Sequence, residues 1–223
     1  MKSDREHVGW AFWLKWMIAS ALGSAAGVIF WLALGAALEG VGLESDSPSI
    51  VARTLIPGVV GAAFGTPFGI AQWLVLRGRG RRAGRWGLAT ALGYVVVFLF
   101  GATAFPQGAS VELSAPQQIL LGAVLGAAVA LPPSILQWLL VLRRQIIKAG
   151  WWVLASAASW AFGFAISFAP RLAFGELTFI AGPVTALALT GLAMVRLLRL
   201  TETAKDRAKP SIEGAYTTGP PSK

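Results

Sequence analysis

Trp16-Met17-Ile18-Ala19-Ser20-Ala21, Trp86-Gly87-Leu88-Ala89-Thr90-Ala91 and Trp152-Val153-Leu154-Ala155-Ser156-Ala157 are three copies of one pattern, Trp-x-x-Ala-Ser/Thr-Ala. Each copy opens an apolar segment, and each such segment is followed by a second one that ends in arginine. The closing stretches are Gln72-Trp73-Leu74-Val75-Leu76-Arg77, Gln137-Trp138-Leu139-Leu140-Val141-Leu142-Arg143 and Val195-Arg196-Leu197-Leu198-Arg199. A two-segment unit recurring three times predicts an all-α integral membrane protein of six transmembrane helices. Because each unit contains two crossings, successive units face the same way, the parallel class of internal repeat whose axis lies along the membrane normal.

Composition points to the same solvent. Of the 223 residues 56% are hydrophobic and only 13% charged, with a mean hydropathy of +0.65; soluble domains carry about 25% charged residues. A helical span needs about 20 apolar residues to cross a hydrocarbon core of about 30 Å. Segments 10–38, 51–76, 86–105, 117–142, 151–169 and 177–198 meet that requirement. None alternates apolar and polar residues as a barrel strand does, so each is expected to be a helix.

The repeat units, about 10–77, 85–143 and 150–199, form one transmembrane domain over 10–200, after a short leader at 1–9. Segment 201–223 is polar, contains prolines and lacks an apolar period, which predicts a disordered tail. The first segment is longer than the apolar stretch of a signal peptide and carries the first copy of the pattern. It is therefore expected to be retained.

Charge sets the expected orientation. Arg77, Arg79, Arg81, Arg82 and Arg85 fill one connector, and Arg143, Arg144 and Lys148 fill another. Lys2 and Arg5 precede the first span, and Arg196, Arg199, Lys205, Arg207 and Lys209 end or follow the last. The alternate connectors hold Glu39, Glu44, Asp46, Glu112 and Glu176, with Arg53 and Arg171 as their cations. The positive-inside rule then places both termini in the cytoplasm. The connector cations, Arg77 to Arg85 and Arg143 to Lys148, are candidate contacts for anionic lipid headgroups. The net charge of +9 follows from these flanks, so no nucleic-acid partner is expected. Trp10, Trp13, Trp16, Trp73, Trp86, Trp138, Trp151 and Trp152 all fall near the cytoplasmic boundary, which predicts an interfacial aromatic belt.

Inside the spans, small residues recur at four-residue spacing at Gly23/Gly27, Gly61/Gly65/Gly69, Gly122/Gly126 and Ser159/Gly163. Such spacing lets helix backbones approach closely, within one chain or between partner helices. Pro67 and Pro132 each precede their unit's glutamine by the same interval. Each frees a carbonyl one turn back, the kind of mid-depth break that transporters use. Gln72 and Gln137 are the most distinctive polar groups in the spans, suited to clasp a neighbouring helix or to line a vestibule. Met194 takes the corresponding place in the third unit.

Absent residue types narrow the chemistry. The chain has no cysteine, and its one histidine, His7, lies in the leader. No charged residue falls at mid-depth in a span, where proton relays and ion pathways place them. Glu39, Glu112 and Glu176 occur once per unit on the outer side and are expected to be solvated. No catalytic set, metal site or cofactor-binding motif is present, so no enzyme is expected.

The runs Gly69-Ile70-Ala71-Gln72-Trp73-Leu74-Val75-Leu76-Arg77 and Ala149-Gly150-Trp151-Trp152-Val153-Leu154-Ala155-Ser156-Ala157 resemble a group of uncharacterised bacterial multi-spanning membrane proteins. That group, of cyanobacterial and green non-sulfur bacterial type, carries repeated QWLVLR and AGWWVLAS elements. The resemblance implies a protein of the bacterial cytoplasmic membrane and brings no activity, cofactor or catalytic residue. The expected role is a non-catalytic accessory or scaffold subunit that binds lipid or partner helices, or self-associates. The alternative is a small transporter or channel for a neutral or weakly polar solute, with its path along the axis near Pro67 and Pro132.

Overall fold

The computed structural model describes residues 8–40, 50–79, 83–104, 113–146, 149–169 and 177–207. All regular structure among them is helical. The elements are α1 (Trp10–Gly40), α2 (Ile50–Leu76), α3 (Arg85–Ala104), α4 (Ala115–Leu140), α5 (Trp151–Ser167) and α6 (Leu177–Arg207), with a 3₁₀ turn at Leu142–Arg144. Four helices, α1, α2, α4 and α6, are long and apolar enough to cross a membrane. The other two, α3 and α5, are apolar but shorter, with 20 and 17 residues.

Local sequence explains several of the ends. At the start of α4 the Gln117 side chain reaches back to accept from the Ser114 N–H at 2.8 Å, satisfying a donor that the first helical turn leaves open. Pro116 adds no donor in that turn. The second closing stretch is one residue longer than the first between glutamine and arginine. The extra residue falls where α4 gives way to the 3₁₀ turn, and the Val141 N–H still bonds the Gln137 carbonyl at 3.0 Å. Helix α6 continues through Thr201–Arg207, where the polar composition predicted disorder. Glu202, Ala204 and Lys205 are good helix formers, and no proline intervenes before Pro210. Residues 208–223 lie outside the described residues.

The six helices form a closed ring. Each packs on its neighbours in the chain, and α1 packs on α6; among the described residues no helix pair makes backbone contact across the ring. The N-terminal ends of α1, α3 and α5 and the C-terminal ends of α2, α4 and α6 gather in one buried cluster, which includes Trp16, Leu76, Trp86, Val141, Trp152 and Met194. Odd and even helices therefore run in opposite directions.

Small residues set the seams. A Cβ at Gly27 would lie 2.6 Å from the Phe64 carbonyl on α2, and one at Gly61 2.5 Å from the Tyr94 carbonyl on α3. At Gly122 it would meet the Phe164 carbonyl on α5 at 2.6 Å, and at Gly163 the Gly182 carbonyl on α6 at 2.6 Å. The four-residue spacings thus serve helix pairs within this one chain, where close backbone approach replaces a hydrophobic driving force.

Polarity is distributed against the usual soluble pattern. The outer surface carries Leu14, Leu22, Ile29, Leu120, Leu154 and Phe162, all exposed, whereas Ser20, Gln72, Thr90, Ser134, Gln137 and Ser156 are buried. A large continuous apolar exterior is unfavourable in water and is what hydrocarbon solvates without cost.

Candidate functional site

The repeated tryptophans do not form a belt. Trp16 and Trp86 are fully buried and Trp152 is 2% exposed. They project from α1, α3 and α5 to the ring axis, with centroid separations of 5.9 Å (Trp16–Trp86), 6.3 Å (Trp16–Trp152) and 5.6 Å (Trp86–Trp152). The first two pairs are edge-to-face, the arrangement favoured by the indole quadrupole. Of the remaining boundary tryptophans, Trp10 and Trp151 are exposed as a belt requires, and Trp73 and Trp138 are half-buried. Trp13 donates its indole N–H to the Ala188 carbonyl of α6 at 2.9 Å. The belt expectation fails for the repeated copies because all three indoles pack together at the axis, where Trp86 and Trp152 each find a buried acceptor.

That acceptor is glutamine. Trp86 Nε1–H donates to Gln72 Oε1 at 2.9 Å, and Trp152 Nε1–H donates to Gln137 Oε1 at 2.9 Å. Indole is a donor only, so it claims the amide oxygen and leaves each amide nitrogen to find an acceptor of its own. Gln72 Nε2 donates to Ser20 Oγ at 3.2 Å, and Gln137 Nε2 donates to Thr90 Oγ1 at 2.9 Å. Thr90 in turn donates to the Trp86 carbonyl one turn back at 2.9 Å. The bonds form a single buried chain through α5, α4, α3, α2 and α1. Trp and Ser/Thr sit four residues apart in every copy of the pattern, which places both on one helix face for adjacent glutamines to reach.

The chain of bonds stops at α6. By the same rule the residue at 194 would accept from Trp16 and donate to Ser156, but Met194 has no donor and only a weak acceptor. Trp16 Nε1 is buried with no hydrogen-bond partner. Its pyrrole edge faces α6, since a Cβ at Gly191 would lie 3.1 Å from Trp16 Cδ1. An unpaired buried donor costs about 1–3 kcal/mol. The α1–α6 seam relies instead on Trp13 to Ala188 and on Arg199 Nε, which donates to the Val8 carbonyl at 2.7 Å.

Beside the tryptophans the axis holds a cavity of about 20 Å³, lined by Trp16, Gln72, Gln137, Ser134, Ser156 and Thr190 among others. A water requires roughly 10–15 Å³ of such space and two to four polar partners, so the cavity is of one-water size. Its polar groups are neutral donors and acceptors.

Of the residues singled out from sequence, Gln72 and Gln137 join this network and line the cavity. Pro67 and Pro132 do not line it; Phe68 and Pro133, one residue later, do. Pro67 instead presents its carbonyl to the α1 crossing, 3.0 Å from where a Gly23 Cβ would lie. Helices α2 and α4 run on through both prolines.

Arg77, Arg85, Arg143 and Arg144 are exposed at the end of the bundle that carries the tryptophans. Arg79 is turned onto the protein, its guanidinium 4.5 Å from the Phe12 ring centroid, a cation–π contact. Arg81, Arg82, Lys148, Glu112, Glu176 and the Glu39 side chain lie outside the described residues. Trp16, Trp86, Trp152, Ser20 and Thr90 were missed as site residues, although the threefold pattern itself was their signal. Comparison with known proteins returns no matching family model, no matching curated protein and no matching solved structure.

Proposed function

We propose that this chain is a non-catalytic, six-span membrane protein that acts as an accessory or scaffold subunit through its outer packing surfaces and its basic face. In this reading three parallel two-helix units surround the axis, and both termini are cytoplasmic. The resemblance of the QWLVLR and AGWWVLAS runs to bacterial multi-spanning proteins supports a bacterial cytoplasmic membrane as its location. The observation that carries the role is the filled axis: three indoles packed on one another, two of the three pairs edge to face, beside a cavity of only about 20 Å³. All four side-chain bonds made by Gln72 and Gln137 run to a neighbouring helix. The gathering of like ends of α1, α3 and α5 in one cluster supports the parallel units.

The test uses purified full-length protein. Native mass spectrometry is expected to find bound anionic phospholipid or a reproducible partner subunit, and proteoliposomes are expected to pass small neutral solutes no faster than empty vesicles. Solute flux above that background, lost in Gln72→Leu plus Gln137→Leu, would replace the scaffold with a solute pathway.

A further inference from the structure

A second cavity, of about 320 Å³, opens on the outer face of the α2–α3 pair. Helix α2 supplies Thr66, Ile70 and Trp73, and α3 supplies Gly87, Leu88 and Ala91, with Gly84 at one end. The walls are apolar in effect, because the Thr66 hydroxyl already donates to the Ala62 carbonyl at 2.7 Å. Residues 66, 70 and 73 follow one stripe of α2, and Arg77, four residues past Trp73, opens the turn that directly follows the helix. On α3, Arg85 lies one turn before Leu88 and beside Gly84. Both arginines are exposed. The groove is therefore a hydrocarbon-lined slot with two exposed guanidinium-bearing residues, Arg77 and Arg85, at the end where the basic connector lies.

We propose that this groove binds one anionic phospholipid, an acyl chain lying along Ile70 and Gly87–Ala91 and the phosphate held between Arg77 and Arg85. Charge and depth select this occupant. A guanidinium fork matches a phosphate bidentately, and the apolar slot runs inward from it, as a chain runs from its headgroup. A partner helix of apolar face would take the slot but give these two cations no counter-charge. Gly87 keeps the slot open without being needed for the helix crossing. A Cβ there would meet only Gly69 and Ile70 backbone at 3.7 Å, whereas one at Gly69 would come within 2.8 Å of the Gly87 carbonyl. The inference rests on the basic face lying at the membrane surface.

Native mass spectrometry of the full chain in detergent, titrated with phosphatidylglycerol or phosphatidylcholine, tests it. One phosphatidylglycerol is expected to bind more tightly than phosphatidylcholine. Arg77→Gln plus Arg85→Gln should weaken it on the order of 30-fold, two charges at about 1 kcal/mol each. Gly87→Leu fills the slot with a better helix former and should remove the same bound lipid, with the Tm in detergent unchanged or raised. Loss in the arginine variant but not in Gly87→Leu would overturn the groove and leave the basic face standing. No preference for phosphatidylglycerol in the parent chain would overturn both. Lipid binding indifferent to Gly87→Leu, with loss of a second copy or a co-purified chain, would give the groove to a helix and sink the proposal.

Discussion

Met194 sits where Gln72 and Gln137 sit in the other two units, and its neighbour Trp16 is left with a buried, unpaired indole N–H. In water such a donor finds solvent; in a packed bundle it finds nothing unless a side chain or a buried water is supplied. Met194→Gln is expected to close the bond chain between Trp16 and Ser156. It should stabilise the protein by about 1–2 kcal/mol, the scale of interhelical hydrogen bonds in membranes, read as a rise in thermal midpoint in detergent. Gln137→Leu should act in the opposite sense. It leaves the Trp152 indole without its acceptor and costs about 1–3 kcal/mol. If both variants unfold at the parent temperature, the network is ornamental to stability. The special character of position 194 was legible as a break in the repeat, but the bond it interrupts was not. Which indole faces which glutamine depends on the order of helices around a ring, and residues 16 and 194 lie at opposite ends of the sequence.

Helix seams are governed by glycine, and not every glycine is equivalent. At Gly27 an added Cβ would meet the Phe64 carbonyl at 2.6 Å, whereas at Gly35 of the same helix it would meet nothing within 4 Å. Gly27→Ala is therefore expected to destabilise by about 1–3 kcal/mol, as overpacking does. Gly35→Ala should be neutral or stabilising by about 0.5–1 kcal/mol from helix propensity alone. Denaturant unfolding of both variants in one detergent checks the pair, and equal effects would refute the seam. The four-residue glycine spacings are plain in the sequence. Their partners are not, because a small-residue stripe serves an internal seam and a partner helix equally well. Pro67 and Pro132 give the same lesson. Matching positions marked them, yet Phe68 and Pro133 face the axis, since one residue turns a helix by about 100°, at 3.6 residues per turn.

At the scale of the molecule, a ring of helices with apolar flanks outside and hydroxyl and amide groups inside is a shape suited to lipid. The proposed orientation has a direct test, because the chain contains no cysteine. Single substitutions Ser3→Cys and Ser222→Cys are expected to resist a membrane-impermeant maleimide in intact cells. Ser47→Cys and Ser110→Cys should label readily. Labelling of Ser3→Cys from outside would reverse the orientation, and labelling that fails to alternate would reduce the number of crossings.

The sequence by itself determined the helical class and the long apolar segments suited to lipid. Apolar content and segment length need no knowledge of neighbours, because a backbone in hydrocarbon must satisfy its own hydrogen bonds. It also marked the threefold pattern and its one defect. Only the tertiary structure decided that the repeated tryptophans face the axis and not the headgroups. An indole near the boundary is satisfied equally by water, by a headgroup or by a glutamine on the next helix. Sequence position fixes its depth, while the bond it makes depends on which way its helix is turned, and that is set by packing around the whole ring.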